Sequence, residues 1–182
     1  MDQETRAKTQ NLIEIPARDA GIILRQFSLA DAPHLFALIN RNRPHLSQFG
    51  DITAEKYKTL ESVERSITNP LNYDRLRFGI WNNNGELVGS INLTPDENYS
   101  KRAEIGCYLG SEYTGKGYAL NATLALCNWA FNNRKIDEVY AKVDTENPNS
   151  PKVLLKAVFI ETGIEEAKNG RKNRIFTLVK PK

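Results

Sequence analysis

Residues 102–119 read RAEIGCYLGSEYTGKGYA. The run decides the fold because it passes from a strand pattern, through a glycine-bearing turn, straight into a helix pattern. From Arg102 to Leu109 polar and apolar residues alternate: Ala103, Ile105, Cys107 and Leu109 fall on one face, Arg102, Glu104, Gly106 and Tyr108 on the other. Glu104 and Tyr108 therefore share a face. The turn runs from Gly110 to Gly117, and an amphipathic helix starts at Tyr118 with Leu120, Leu124, Cys127 and Phe131 on one stripe, widened by Ala119, Leu126 and Ala130. A helix opened this way leaves its first N–H groups unpaired, and together with the positive end of the helix dipole they attract an anion. Gly115 and Gly117 supply left-handed backbone and let a ligand approach where a Cβ would block it. The stretch reads as a phosphate cradle.

Two cradles compete for the string. The nucleoside-triphosphate loop G-x-x-x-x-G-K-[ST] matches at Gly110, Gly115 and Lys116, but Gly117 stands where a Mg²⁺-binding hydroxyl is needed. The coenzyme A pyrophosphate loop, Q/R-x-x-G-x-G/A, matches through Gly115-Lys-Gly117-Tyr-Ala119 and departs at its first residue, Thr114. The second fits better.

A chain of 182 residues suits one core that buries about two-thirds of its unfolded surface. Residues 1–11 are polar and expected to be disordered, and 12–182 to form a single domain. The 25 basic and 22 acidic residues give +3, spread along the chain rather than massed, so no direct nucleic-acid role is expected. Cys107 and Cys127 lack C-x-x-C spacing and read as small core residues in a reducing compartment. His34 and His45 form no ligand pair, and no metal is expected. No apolar run approaches the roughly 18 residues of a membrane span, so the expectation is a cytoplasmic protein without membrane contact.

The rest of the chain supports the central unit. Leu12 to Pro16 and Gly21 to Phe27 read as short strand-like runs. Ser28, with Asp31 three residues on, opens a helix carrying Leu29, Ala32, Leu35, Phe36 and Ile39, which ends near Asn42 ahead of Pro44. Arg41 to Asp51 is a dense irregular patch suited to a substrate lip. Thr53 is expected to cap one helix from Ala54 to about Thr68, with Tyr57, Leu60, Val63 and Ile67 on its stripe. Leu76 to Trp81, the turn Asn82 to Gly85, and Glu86 to Leu93 form a hairpin. Asp137 to Asp144 is the next strand, placed parallel beside the cradle strand because a helix intervenes. A helix follows, started by Ser150 and Pro151 and running from Lys152 to about Val158. Phe159 to Thr162 and Arg174 to Val179 close the sheet, joined by the charged loop Gly163 to Asn173.

These segments in order resemble the GNAT superfamily of N-acetyltransferases, and within it the Rim-type branch that acetylates ribosomal-protein N-termini. The resemblance covers Ile22 to Leu178. It rests on Leu24-Arg25 with Asp31-Ala32, Asn42-Arg43-Pro-His-Leu46, Glu104-Ile-Gly106-Cys-Tyr108-Leu109, Gly115 to Ala119, Asn147-Pro-Asn-Ser150 and Val153-Leu-Leu-Lys156. It implies an α/β fold: a mixed, mostly antiparallel twisted sheet with a splayed parallel central strand pair and flanking helices. It implies acetyl-CoA as co-substrate, its pantetheine arm on backbone near Cys107, Tyr108 and Leu109 and its pyrophosphate on the loop from Thr114 through Gly115, Lys116, Gly117 and Tyr118 to Ala119. Asn147 would hold the arm, Lys116, Lys152 or Lys156 would meet other phosphates as point charges, and Asn42 and Arg43 would line the acceptor lip. Three positions depart from the family pattern. Thr114 replaces Gln or Arg, Val158 replaces the Gly before Phe159, and Leu155 occupies the place of the tyrosine that protonates the leaving thiolate.

The chemistry needs a neutral amine and a proton for the thiolate. An α-amine has a pKa of about 7.7–8.0, so a carboxylate relaying through water suffices as base. Glu104 is the first candidate and Glu166 the second; the competing role for Glu104 is an ion pair with Arg102 or a neighbouring basic residue. Ser150 is the analogous acid, and its competing role is a helix N-cap. The acceptor expected from the resemblance is a protein N-terminus. A small amine (polyamine, antibiotic or amino acid analogue) is the second reading, and a non-catalytic acyl-CoA-binding module the third. A P-loop nucleotidase is remote. Oligomeric state stays open, a homodimer included.

Overall fold

The computed structural model describes residues 12–17, 21–70, 74–167 and 169–181. Residues 1–11, expected to be disordered, lie outside them, as do 18–20 between the first two strand-like runs. One mixed sheet of eight strands organises the chain: β1 (Glu14–Ala17), β2 (Ile22–Gln26), β3 (Leu76–Asn82), β4 (Leu87–Pro95), β5 (Arg102–Leu109), β6 (Glu138–Asp144), β7 (Ile160–Glu166) and β8 (Lys172–Val179). Their order across the sheet is β1-β2-β3-β4-β5-β6-β8-β7. Every neighbouring pair is antiparallel except β5 and β6, which run parallel through the crossover helix α5 (Tyr118–Asn133). The mostly antiparallel mixed sheet with a central parallel pair is the fold read from the sequence.

Helices cover the two faces unequally. Under α5 and α6 (Ser150–Lys156) lies the larger core, where Phe78, Ile80, Ile91, Leu126, Phe159 and Phe176 are fully buried or nearly so. Burying each such side chain contributes about 1.5–3 kcal/mol. On the opposite face, α1 (Ala32–Arg41), α2 (Arg43–Leu46), α3 (Thr53–Lys56) and α4 (Leu60–Thr68) pack Leu35, Leu38, Ile39 and Val63 against Trp81 and Leu87. That second cover stops near Tyr108 and leaves the sheet beyond it, from Glu104 across to β6, without a helix of its own.

Several expectations need correction. The loop expected from Gly163 to Asn173 shrinks to residues 167–171 between longer strands, and the patch expected to be irregular from Arg41 to Asp51 contains α2. The single helix from Ala54 to Thr68 is two, because the chain breaks at Tyr57 to Thr59. The cap of α4 is Thr59, whose hydroxyl accepts from Ser62 N (3.2 Å) while Ser62 Oγ accepts from Thr59 N (3.2 Å). Thr53 caps nothing; its own N–H donates to Asp51 Oδ1. On α5 the buried face is Ala122, Thr123, Leu126, Cys127, Ala130 and Phe131, and Leu124 is exposed, so the true stripe is rotated from the one through Leu120 and Leu124. Cys127 is a core residue, and burial pushes its thiol up to about 12. Cys107 is exposed, because the strand on one side of it has already turned away.

Candidate active site

The separation of β5 from β6 creates the site. Their register holds for three residues, Arg102 opposite Glu138, Ala103 opposite Val139 and Glu104 opposite Tyr140, and then ends. Beyond that point β5 stays paired with β4 as far as Leu109, and β6 with β8 as far as Asp144. The facing backbone edges of Ile105 to Leu109 and Ala141 to Asp144 are therefore left to line a wedge, with Cys107, Tyr108 and Leu109 on one arm. Unpaired strand edges need partners, and an extended amide-bearing ligand arm is chemically suited to supply them.

The cradle lies at the wide end of this wedge. After β5, Gly110 N–H donates to Val88 O, and a 3₁₀ turn at Ser111–Tyr113 leads to Thr114. The Thr114 hydroxyl is spent internally on Ser111 O (2.8 Å). Gly115 and Gly117 both adopt left-handed backbone, φ +75° and +81°. A Cβ on Gly115 would meet nothing of the protein within 4 Å, so the space beside it is open to a ligand. Gly117 stands at the N-cap position of α5, no side chain caps the helix, and its first turn holds no acidic residue. The N–H groups of Tyr118, Ala119 and Leu120 are thus offered outward with the dipole behind them. Lys116 extends over the Tyr113 ring at 5.4 Å. The donor set fits a diphosphate. Among the described residues no group of three or more His, Cys, Asp and Glu could hold a metal, and no helix is long and apolar enough to cross a membrane.

At the apex of the wedge Glu104 Oε2 accepts from the Tyr140 hydroxyl at 3.3 Å. Arg102 pairs instead with Glu138 (2.7 Å) and Asp96 (3.8 Å) and stacks on Tyr140 at 4.1 Å, while the charge of Glu104 acts on Arg75. Burial pushes the Tyr140 hydroxyl well above the phenol range, and the Glu104 and Asp96 carboxylates push it further, so it stays a donor. Tyr140 was missed in the sequence: the crossover rule makes the strands parallel but does not say which residue faces Glu104. Glu166, the second candidate base, is exposed at the end of edge strand β7.

On the β6 side, Asn147 organises the start of α6. Its Oδ1 accepts from Asn149 N (3.0 Å) and Ser150 N (3.1 Å), and its Nδ2 donates to Ser150 Oγ (3.1 Å). From two residues ahead of the N-cap position, Asn149, Asn147 thus takes up the first N–H groups of the helix start, and the Ser150 hydroxyl accepts from it, keeping its own proton available. Leu155 is 54% exposed, and the side chain of that turn packed into the core is Leu154. Neither carries a hydroxyl, so α6 supplies no phenol. Lys152 and Lys156 are exposed on α6. The helix ends in a Schellman motif, Val158 N to Leu155 O and Phe159 N to Leu154 O, with Val158 at φ +59° where glycine is usual.

The lip residues are tethers. Asn42 is 3% exposed; its Oδ1 accepts from Ser111 N (2.9 Å) and Ser111 Oγ (2.8 Å), and its Nδ2 donates to Leu38 O. Arg43 donates to Ala54 O, Tyr57 O, Lys58 O and Asn40 Oδ1, which pins α2 to α3. From β3, on the same sheet face as Glu104, Arg77 reaches the helical cover: it donates to the hydroxyls of Tyr57 (3.2 Å) and Ser66 (3.1 Å) and stacks on Phe27 and Tyr57. Burial pushes the Tyr57 hydroxyl up, yet Arg77, Lys56, the Ser66 bond and Arg75 together hold it below its ordinary value. Alternation along β3 was visible in the sequence, but not which face the helices would leave open.

Comparison with known proteins places this geometry among acetyltransferases. A family model described as "Acetyltransferase (GNAT) domain" matches residues 22–160. A probable N-acetyltransferase of Bacillus subtilis, YjcK, is 30% identical over 161 residues, covering 85% of this chain and 88% of that one. The spermidine N(1)-acetyltransferase of Vibrio cholerae is 24% identical over 125 residues, 69% of this chain and 71% of that protein. Among solved structures, RimL, a ribosomal L7/L12 α-N-protein acetyltransferase in complex with coenzyme A, superposes with a TM-score of 0.82 at 21% identity, covering 92% of this chain and 98% of that one.

Proposed function

The chain belongs to the GNAT acetyltransferase family, and from that premise we propose that it transfers the acetyl group of acetyl-CoA to the α-amine at a protein N-terminus. The observation that carries the reading is the loss of β5–β6 pairing after Glu104 and Tyr140, which leaves a wedge running from a carboxylate to an anion-binding turn. In this reading the N–H groups of Gly115 to Ala119 hold the diphosphate and the open edge of β5 holds the arm. Bound acetyl-CoA supplies an activated thioester carbonyl. Glu104, oriented by Tyr140, takes a proton from the acceptor amine through water. The amine nitrogen bonds to the carbonyl carbon, the carbon–sulfur bond breaks, and Ser150, oriented by Asn147, relays a proton to the departing sulfur while taking one from solvent. A β5 backbone N–H steadies the carbonyl oxygen as charge builds on it.

A protein N-terminus is favoured over a polyamine by the charge on the sheet face that carries Glu104. There Arg77 is bonded to neutral hydroxyls rather than to a carboxylate, so its charge is set against a polycation approaching that face. The RimL likeness points the same way. The spermidine acetyltransferase among the relatives keeps the small-amine reading as the alternative. The protein incubated with acetyl-CoA and a panel of peptides of varied first residue, with spermidine alongside, separates the two by mass spectrometry. Acetylation of peptide α-amines is the expected result; acetylation of spermidine alone would replace the reading.

A further inference from the structure

The segment leaving α1 crosses from one arm of the wedge to the other. At its start Asn42 is bonded to Ser111, just past the end of β5, and a Cβ on Gly110 would lie 3.0 Å from both Asn42 Nδ2 and Leu38 Cδ1. Eight residues on, Gly50 rests against Arg171 in the β7–β8 loop: a Cβ there would stand 3.2 Å from Arg171 Cδ and Nε and 4.0 Å from Asp144 Oδ2. Arg171 in turn grips the end of β6, Nε to Asp144 Oδ2 at 2.5 Å and Nη2 to Glu146 Oε2 at 2.7 Å. Asp144 lies an even number of residues from Tyr140, on the same face of β6, so the crossing is made on the Glu104 side.

The two anchors differ in kind. Asn42 is buried and neutral. The Gly50 end is exposed and held through an ion pair whose arginine is 37% exposed, and Phe49 and Gly50 are consecutive left-handed residues, φ +54° and +76°. A strained turn resting on a partly wet ion pair opens more readily than a buried amide tether.

We propose that Arg171 is a specificity-determining residue: it latches residues 42–50 as a strap across the mouth of the wedge, and so admits amines borne on a slender, extended segment while excluding those on a bulky or folded surface. This rests on the wedge being the transfer site. It explains why Asn42 and Arg43 spend their side chains internally, since a strap must hold its own shape.

The test compares the wild type with Arg171→Met and with Gly50→Val, which pushes the strap off the arginine from the other side. Acceptors are a short flexible peptide with a free N-terminus and a folded lysine-rich protein whose N-terminus is blocked. Both variants are expected to shift the ratio of kcat/KM toward the folded acceptor by about tenfold, mainly through KM. Amide exchange in residues 47–52 is expected to quicken by about tenfold, with coenzyme A binding by calorimetry unchanged. An unchanged ratio and unchanged exchange, in either variant that still binds coenzyme A, overturns the latch. A wild type that acetylates neither acceptor overturns the transfer reading instead, and the exchange measurement still decides whether Arg171 holds the strap.

Discussion

The cradle after β5 and the lip after α1 meet at the same wedge but are built from different materials. The cradle works with backbone: two left-handed glycines, an uncapped helix start and the edge of a strand. The lip works with side chains, each already engaged: Asn42 with Ser111, Arg43 with three carbonyls, Arg171 with Asp144 and Glu146. Backbone donors survive substitution of the side chains around them, which is why Thr114 can stand in the loop without removing its N–H groups. Side-chain ties do not, and a change in one of them moves a whole segment. In the proposed reading, the half of the site assigned to the co-substrate is thus insensitive to sequence, while the half assigned to the acceptor is sensitive to it.

The contrast can be broken most sharply at the cradle. Gly115→Val puts a side chain into open space at φ +75°, so the fold loses only about 1–2 kcal/mol of left-handed strain, while the approach of a diphosphate is blocked. The expected outcome is a modest fall in Tm with the melting shift on adding coenzyme A abolished. A retained shift would show that the anion sits elsewhere. Next in size, Glu104→Gln is expected to lower kcat/KM by about 10²-fold with coenzyme A affinity unchanged in calorimetry. An unaltered rate across pH removes Glu104 from the mechanism and leaves it as a partner of Tyr140.

Smaller effects sharpen the contrast on the α6 side. Ser150→Ala is expected to reduce kcat by about tenfold and leave Tm alone, because Asn147 accepts the N–H bonds of the helix start. Asn147→Ala should lower stability by about 1 kcal/mol as well as turnover. If the two variants behave alike in denaturant unfolding, Ser150 shares the capping. The smallest effect is a gain: Val158→Gly relieves a β-branched residue at φ +59° that is 69% exposed, and urea unfolding should show about 1 kcal/mol of added stability with kcat/KM unchanged. A loss there would mean that Val158 makes contacts worth more than its strain.

Much of the architecture could be read from the chain, and the errors fall where neighbours overrule local pattern. β5 was expected at Arg102 to Leu109 and lies there, and α5 starts at Tyr118 as its glycines required. The Thr59 to Ser62 capping box went unseen because Thr53 stood earlier in an unbroken apolar stripe, and Leu124 was counted inward because leucine fits helical spacing from Leu120. Ser150 looked like a cap because serine before proline usually is one; only the fold shows it inside the helix, with Asn149 at the N-cap position and the Asn147 amide accepting the first N–H bonds.

The chain by itself determined the order of elements, the turn with its two glycines, and the alternation that puts Glu104 on one face of its strand, since each depends on backbone preference and on residues a few positions apart. Tertiary structure decided that Glu104 meets Tyr140 and not Arg102, that β5 and β6 part after three residues, and that the lip is bonded to Ser111 at one end and rests against Arg171 at the other. The Glu104–Tyr140 and Asn42–Ser111 contacts join residues 36 and 69 positions apart. At such separations packing and hydrogen-bond geometry select the partner, and no local periodicity records the choice.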